Sequence, residues 1–399
     1  MSLLNGYAFS FFRGFSLAMI ITTCYALLSL LMFFMKPERV RTPHFLLFVL
    51  FSACLSFVSF FTVQDVDYSG ALYIFLKLLI WATFITFCGR YFFDLQLLAK
   101  YMKGVIIITF IYLLVQYFFH YALHISIPCS FDLGIIKANS DAYEIILDAT
   151  DSVFRPGSFW LEPGYLGYFY NSFLCICLFC DEYSIRIFST KGRRLLYTSV
   201  TCLGIILSMS TGAIGSMLIL FIAKLAIKGG KLSLRTLIVI AITILFGFFA
   251  IKGGWLGHLK GISESLDNSI WKLENLDKVG RVGESFGLLE MLPDVNKVIG
   301  VGLGNEKHII GGEYMNGIVT VVYWSGYLGL GIWLLLYARL SKKFCRSRLQ
   351  KISLFIIVFD GVFASLYFGA HSFIYFMIAL YAPTALLRAS KRKEIEEVV

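Results

Sequence analysis

The sequence predicts an all-α integral membrane protein with about eleven transmembrane helices (ten to twelve) and two long loops on the outer side. Its composition is the first reason: 58% of the residues are hydrophobic and only 15% are charged, with a mean hydropathy of +0.77. A soluble domain is typically about 45–50% apolar and about 25% charged. The second reason is that apolar runs of about 20 residues recur along the chain. Each is long enough to cross a hydrocarbon core of about 30 Å.

These apolar runs define the predicted spans in chain order. They lie at about 14–35, 44–63, 71–88, 104–122, 164–180, 195–209, 212–227, 236–251, 317–338, 352–369 and 371–388. Residues 1–12 carry no basic residue, so we expect the first run to stay in the membrane as a helix and not to act as a cleaved signal peptide. The predicted organisation is therefore N-terminal transmembrane helices (1–122), a first long periplasmic loop (123–160), central transmembrane helices (161–251), a second long periplasmic loop (252–316), and C-terminal helices with a basic tail (317–399).

Clusters of Lys and Arg decide which side of the membrane is which. They occur at 36–41, 90–103, 186–194, 224–235, 339–351 and 388–393, and all fall on one side if the spans alternate. By the positive-inside rule this side faces the cytoplasm, with the N-terminus outside and the C-terminus inside. The same topology explains the net charge of +10, so we expect no nucleic-acid partner.

The two outer loops differ in character. The first carries five acidic residues against Lys137 and Arg155. In the second, apolar residues recur every three or four positions over 262–279, which predicts an amphipathic helix. That helix either lies at the membrane surface with Trp271 at the interface or packs on the other loop, and the sequence leaves both open.

Three closely spaced glycines, Gly300, Gly302 and Gly304, superficially suggest a phosphate loop. A Walker loop needs a Lys-Ser/Thr pair after the glycines and a strand-to-helix setting, and the sequence has neither. We therefore predict a tight, close-packed turn and no ATP site.

The stretch 152–172 is the main candidate for chemistry, because it places Arg155 and Glu162 where a polar loop meets a membrane helix. Charged groups at such a border are costly and usually functional. No ATP or nucleotide-sugar is available on the outer side of the membrane. An activated substrate must therefore reach this side attached to a lipid. The isolated guanidiniums of Arg155 and Arg281 suit a diphosphate. A diphosphate leaving group needs charge neutralisation, whereas an attacking sugar hydroxyl needs a base, for which Glu162, Glu313 and His308 are candidates.

At this point the sequence resembles a known family. The run Phe154-Arg-Pro-Gly-Ser-Phe-Trp-Leu-Glu-Pro-Gly-Tyr-Leu-Gly167 looks like the signature of the O-antigen polymerase and O-antigen ligase superfamily of membrane glycosyltransferases. The resemblance continues through Leu207-Ser-Met-Ser-Thr-Gly-Ala-Ile-Gly215 and ends with Gly300-Val-Gly-Leu-Gly304, Asn316-Gly-Ile-Val and Gly326-Tyr-Leu-Gly-Leu330. It covers roughly residues 150–335.

The resemblance implies a metal-independent enzyme without a cofactor in a bacterial inner membrane, with its active site facing the periplasm. Such enzymes transfer a glycan from undecaprenyl diphosphate to a sugar hydroxyl. The implied partners are a lipid-linked oligosaccharide donor and acceptor and the membrane lipids, and a chain-length regulator protein is a candidate partner. The implied catalytic residues are Glu162, His308 and Arg281, and the implied substrate-binding residues are Arg155, Arg281, Tyr165, Tyr314 and Asn316.

Two departures from the family pattern favour a polymerase over a ligase. The family often has His-Asn where this chain has Met315-Asn316, and an arginine after the serine-rich turn, where this chain reads Ser210-Thr-Gly212. A ligase transferring glycan to lipid A-core remains the alternative. A flippase for the same lipid-linked sugars is a further one, although the long outer loops and the absence of an internal repeat argue against it.

Overall fold

The computed structural model describes residues 7–9, 16–35, 44–63, 65–125, 127, 136–138, 156–160, 162–180, 187–227, 280–306, 310, 315–364, 367–369 and 371–382. This part of the chain is mostly helical. Its helices are α1 (Leu17–Met35), α2 (His44–Ser59), α3 (Tyr68–Thr83), α4 (Leu95–Leu123), α5 (Pro163–Phe179), α6 (Lys191–Leu207), α7 (Thr211–Ile227), α8 (Gly280–Gly287), α9 (Asp294–Ile299), α10 (Gly317–Lys343), α11 (Arg348–Phe363) and α12 (Phe373–Ala382).

Four of these helices are long and apolar enough to cross a membrane: α1, α3 with its continuation to Tyr91, α4 and α10. The helices α2, α7 and α12 are apolar but shorter. Every predicted span overlaps a helix except 236–251, which lies outside the described residues. The chain therefore has several helices able to span a membrane, as its composition predicts, while the number of eleven stays a prediction.

A small β-sheet was not predicted. Strand β1 (Tyr7–Phe9) pairs antiparallel with β2 (Ile136–Ala138), with Ala8 opposite Lys137. Each strand has three residues, which is too short for an alternating pattern to stand out in the sequence. Strand β2 lies within the loop predicted at 123–160.

The chain divides into two compact units. Unit 1 comprises Met1–Ala18 and Leu95–Glu274, and its described helices are α4 to α7. Close packing here depends on small residues: a Cβ on Gly167 would come within 2.3 Å of the Ala213 side chain, and one on Gly204 within 1.9 Å of the Tyr170 ring. The Tyr170 hydroxyl lies 2.9 Å from Thr109 Oγ1, which pairs two polar groups in the interior.

Unit 2 comprises Met19–Asp94 and Asn275–Val399. Buried aromatic side chains fill its interior, and the Phe368 ring lies 5.1 Å from Trp333 and 5.3 Å from Trp81. A π-helical turn (Phe84–Cys88) continues α3, and the Tyr381 hydroxyl donates to the carbonyls of Ile85 and Thr86, at 2.6 and 2.7 Å. Because backbone carbonyls inside a membrane need internal partners, this hydroxyl stabilises the irregular turn.

The tenth predicted span, 352–369, corresponds to α11, which begins and ends earlier than the hydropathy indicated. Helix α11 starts at Arg348, not at 352, because Ser347 and Gln350 form a capping box that satisfies the first backbone donors. It ends at Phe363 because Ala364 adopts an extended conformation (φ −150°, ψ 158°). Hydrophobic runs locate the membrane-facing part of a helix, whereas caps fix its ends.

Candidate functional site

The predicted site residues fall in different parts of the chain. Glu162 and Tyr165 belong to unit 1, and Arg281 and Asn316 to unit 2. Arg281 is described only as a backbone position in α8. Arg155, His308, Glu313 and Tyr314 lie outside the described residues, as does the amphipathic stretch predicted over 262–279.

In unit 1, the segment 156–160 before Glu162 forms a tight, largely buried turn against α4. Ser158 is fully buried with a φ of 55°, its hydroxyl donates to the Thr109 carbonyl (2.8 Å), and its own carbonyl accepts from Gln116 (3.3 Å). The Phe159 ring stacks on Tyr112 at 4.3 Å. Gly157 is required here, since a Cβ would lie 2.2 Å from the Trp160 carbonyl oxygen. The surrounding protein supplies the hydrogen-bond partners that this non-helical backbone needs.

Glu162 follows this turn and occupies the residue before the first turn of α5. Its backbone is extended (φ −126°, ψ 130°), and Pro163 starts the helix with a φ that proline already favours. The side chain does not cap the helix and is half-buried. Tyr165 is also half-buried and donates its backbone N–H to the Glu162 carbonyl at 3.1 Å. The carboxylate thus stands at a helix N-terminus, where negative charge is favoured.

A serine joins Glu162 at this end of α5. Glu162 Oε1 and Ser210 Oγ lie 3.5 and 3.6 Å from the point that a Cβ on Gly164 would occupy, so both border the same side of this glycine. Ser210 lies in the turn between α6 and α7, where Met209 adopts a φ of 49°. The motif 207–215 includes Ser210, but Ser210 was not among the predicted site residues. Its position beside Glu162 depends on tertiary packing that a linear motif does not encode.

In unit 2, Asn316 is the buried N-cap of α10. Its Oδ1 accepts from the Val319 N–H at 2.9 Å, its own N–H donates to Ser285 Oγ at 3.2 Å, and it is fully buried. Its Nδ2 has no hydrogen-bond partner among the residues that the structure describes. A buried donor left without an acceptor costs about 1–3 kcal/mol. Asn316 anchors the start of α10 through its Oδ1 and its backbone N–H.

The glycine turn predicted at 300–304 is confirmed. Gly300, Gly302 and Gly304 have φ angles of 82°, 91° and 79°, a region that favours glycine. The Val301 N–H donates to the Tyr323 carbonyl at 2.7 Å and the Leu303 N–H to Ser56 Oγ at 2.9 Å. Because protein acceptors already use these donors, the turn does not present them to a phosphate.

This turn packs against a break in α10. Ser325 (φ −145°, ψ 16°) and Gly326 (φ 65°, ψ −174°) depart from helical geometry, and the Val301 N–H satisfies a carbonyl at the break. The helix is therefore discontinuous, and residues 317–324 form a separate short half that Asn316 caps. In membrane proteins, discontinuous helices of this kind often border substrate sites.

Within the part of the chain that is described, no group of three His, Cys, Asp or Glu side chains lies close enough together to hold a metal ion. Comparison with protein-family models, with curated proteins and with solved structures finds no match.

Proposed function

We propose that this protein is an O-antigen (or related surface polysaccharide) polymerase of the bacterial inner membrane. It joins undecaprenyl-diphosphate-linked repeat units into a longer glycan on the periplasmic side. The proposal includes about eleven spans, with the N-terminus outside and the C-terminus in the cytoplasm.

The observation that carries the proposal is the setting of Glu162. It is the only carboxylate among the described residues of unit 1, and it stands half-buried at the start of α5 behind a tightly hydrogen-bonded turn. A fixed carboxylate at the border of a membrane helix suits a general base that must meet a lipid-linked substrate. The motif that surrounds it is also the first of the three that together resemble the glycosyltransferase superfamily.

The proposed reaction is a displacement at the anomeric carbon of the donor sugar. A hydroxyl oxygen of the acceptor repeat unit forms the new bond to this carbon, the bond to the diphosphate oxygen breaks, and undecaprenyl diphosphate leaves as an anion. Glu162 takes the hydroxyl proton or orients the hydroxyl. Arg155 and Arg281 neutralise the diphosphate. His308 is a further catalytic group, Tyr165, Tyr314 and Asn316 contact the sugars, and no metal or cofactor takes part.

Lipopolysaccharide from cells tests this directly. Cells without the gene should show core with a single repeat unit, and restoring the gene should restore the long ladder. Core without any repeat unit, together with long chains on undecaprenyl diphosphate, would instead identify a ligase. Failure of lipid-linked repeats to reach the periplasm would identify a flippase.

The role of Glu162 has a matched control. The variant Glu162→Gln keeps the size of the side chain but removes the base, so the ladder should collapse at an unchanged protein level. Glu290→Gln makes the same chemical change at an exposed carboxylate of unit 2 and should leave the ladder intact. Equal ladders from both variants would remove Glu162 from the mechanism.

A further inference from the structure

Basic side chains from two other helices cap the C-terminal end of α5. Arg194 Nε donates to the Cys177 carbonyl (2.6 Å) and its Nη2 to the Leu178 carbonyl (3.1 Å). Lys224 also donates to the Leu178 carbonyl, and its ammonium lies 5.0 Å from the centre of the Phe179 ring. Cations favour the partial negative charge at a helix C-terminus. These contacts bring the start of α6 and the end of α7 to one end of unit 1.

A second group of cations lies near this cap, in the first turns of α4 and α6. Lys103 of α4 donates to the Ile187 carbonyl, lies 4.7 Å from the Phe188 ring centre, and is close enough to Arg193 for the two charges to repel. Lys100 is three residues away on α4, and Lys191 starts α6; both are exposed, as is Arg193. We call Lys100, Lys103, Lys191 and Arg193 the basic end.

The described residues of unit 1 supply no anion to offset this charge. Their only carboxylate, Glu162, lies at the opposite end of α5, about 25 Å away for a helix of this length. Like charges close together disfavour each other, and an anion bound between them lowers that cost.

The depth of the basic end identifies its surroundings. Helix α4 has 29 residues, while about 20 suffice to cross the hydrocarbon core. The apolar run of α4 covers 104–122, so its first nine residues, about 13 Å of helix, extend into the headgroup layer, and Lys100 and Lys103 are among them. On the hydrocarbon side of these cations, large apolar side chains are exposed: Ile108 (61%), Ile111 (55%) and Leu196 (57%).

We propose that the basic end is a binding site for an anionic membrane phospholipid. Its phosphate lies among Lys100, Lys103 and Arg193, and its acyl chains run along Ile108, Ile111 and Leu196, deeper in the membrane. A soluble anion or a nucleic acid would meet only the cations, whereas a lipid supplies the phosphate and also covers the apolar side chains. The site is separate from Glu162, so the inference does not depend on the proposed polymerase activity.

Native mass spectrometry of the full-length protein in detergent tests the proposal. Phosphatidylglycerol should remain bound at a much lower added concentration than phosphatidylcholine of the same chain length. The variant Lys100→Gln/Arg193→Gln removes two exposed cations, each expected to contribute about fivefold in affinity for an anionic lipid. It should therefore bind phosphatidylglycerol about 25-fold more weakly, with phosphatidylcholine binding unchanged.

The control variant Lys342→Gln/Arg348→Gln makes the same change in net charge in unit 2 and should retain tight binding. Equal loss in both variants would overturn the site, since attraction would then depend on net charge alone. So would equal binding of the two lipids to the unaltered protein. Competition by millimolar inorganic phosphate that abolishes lipid binding would also overturn it, because the cations would then form a site for a free anion. Elution as a single monodisperse species confirms that both variants are folded.

Discussion

Replacing Gly326 with alanine should strongly destabilise unit 2. This glycine lies at the break in α10, with φ 65° and ψ −174°, a region that only glycine adopts readily. An added Cβ would lie 1.9 Å from the Val298 carbonyl oxygen and 2.1 Å from its carbonyl carbon. Both neighbours are backbone atoms, so relief requires α9 to move away from α10.

The expected magnitude follows from two contributions. Holding a non-glycine residue in this backbone region costs about 1–3 kcal/mol. Forcing an extra methyl group into a filled space adds about 1–3 kcal/mol. The free energy of unfolding of Gly326→Ala should therefore fall by about 2–6 kcal/mol.

A glycine in the same helix provides the control. Gly331 is exposed, and an added Cβ would meet nothing within 4 Å. Alanine is the better helix former by about 1 kcal/mol, so Gly331→Ala should leave stability unchanged or slightly raised. Unfolding by titration with sodium dodecyl sulfate in mixed micelles, followed by circular dichroism, measures both variants. Equal unfolding midpoints would refute the account of the break.

Three further substitutions probe single contacts by the same unfolding assay. Tyr381→Phe removes the hydroxyl that serves the π-helical turn and should cost about 1–3 kcal/mol; an unchanged midpoint would mean that other groups satisfy those carbonyls. Ser347→Ala breaks the capping box of α11 and should cost about 0.5–2 kcal/mol, whereas Ser347→Thr should retain most of the stability. Asn316→Ala removes the N-cap of α10 and should cost about 1 kcal/mol. Under the proposed function, Asn316→Ala also removes a sugar contact. Polymerisation should therefore fall further in Asn316→Ala than in Asn316→Ser, which keeps a capping oxygen.

The hydropathy of the sequence was sufficient to locate most helices, because about 20 consecutive apolar residues have few alternatives to a membrane helix. Glycine spacing likewise indicated the turn at 300–304, whose three positive φ angles give that spacing a physical reason. Other features depend on contacts between distant segments. The π-helical turn after α3 is stabilised by Tyr381, which is almost 300 positions further along the chain, and no local pattern marks it.

The candidate site was predicted in part. The signature around Glu162 correctly marked the entrance to α5, but Ser158, the residue that anchors the preceding turn on α4, appeared only as part of a motif. Ser210 was not among the predicted site residues, because its position beside Glu162 depends on how the turn before α7 packs against α5. The burial of Asn316 and its backbone contact with Ser285 could not be predicted either, since both depend on how α8 packs against the start of α10.

The most direct test of the central proposal is polymerisation by the purified protein in liposomes. Undecaprenyl-diphosphate-linked repeat units are added, and the length of the glycan on the lipid is measured by gel electrophoresis. We expect a ladder of two or more repeat units without added metal or nucleotide, and none with Glu162→Gln. Repeat units that stay single in the presence of folded, unaltered protein would contradict the assignment as a polymerase.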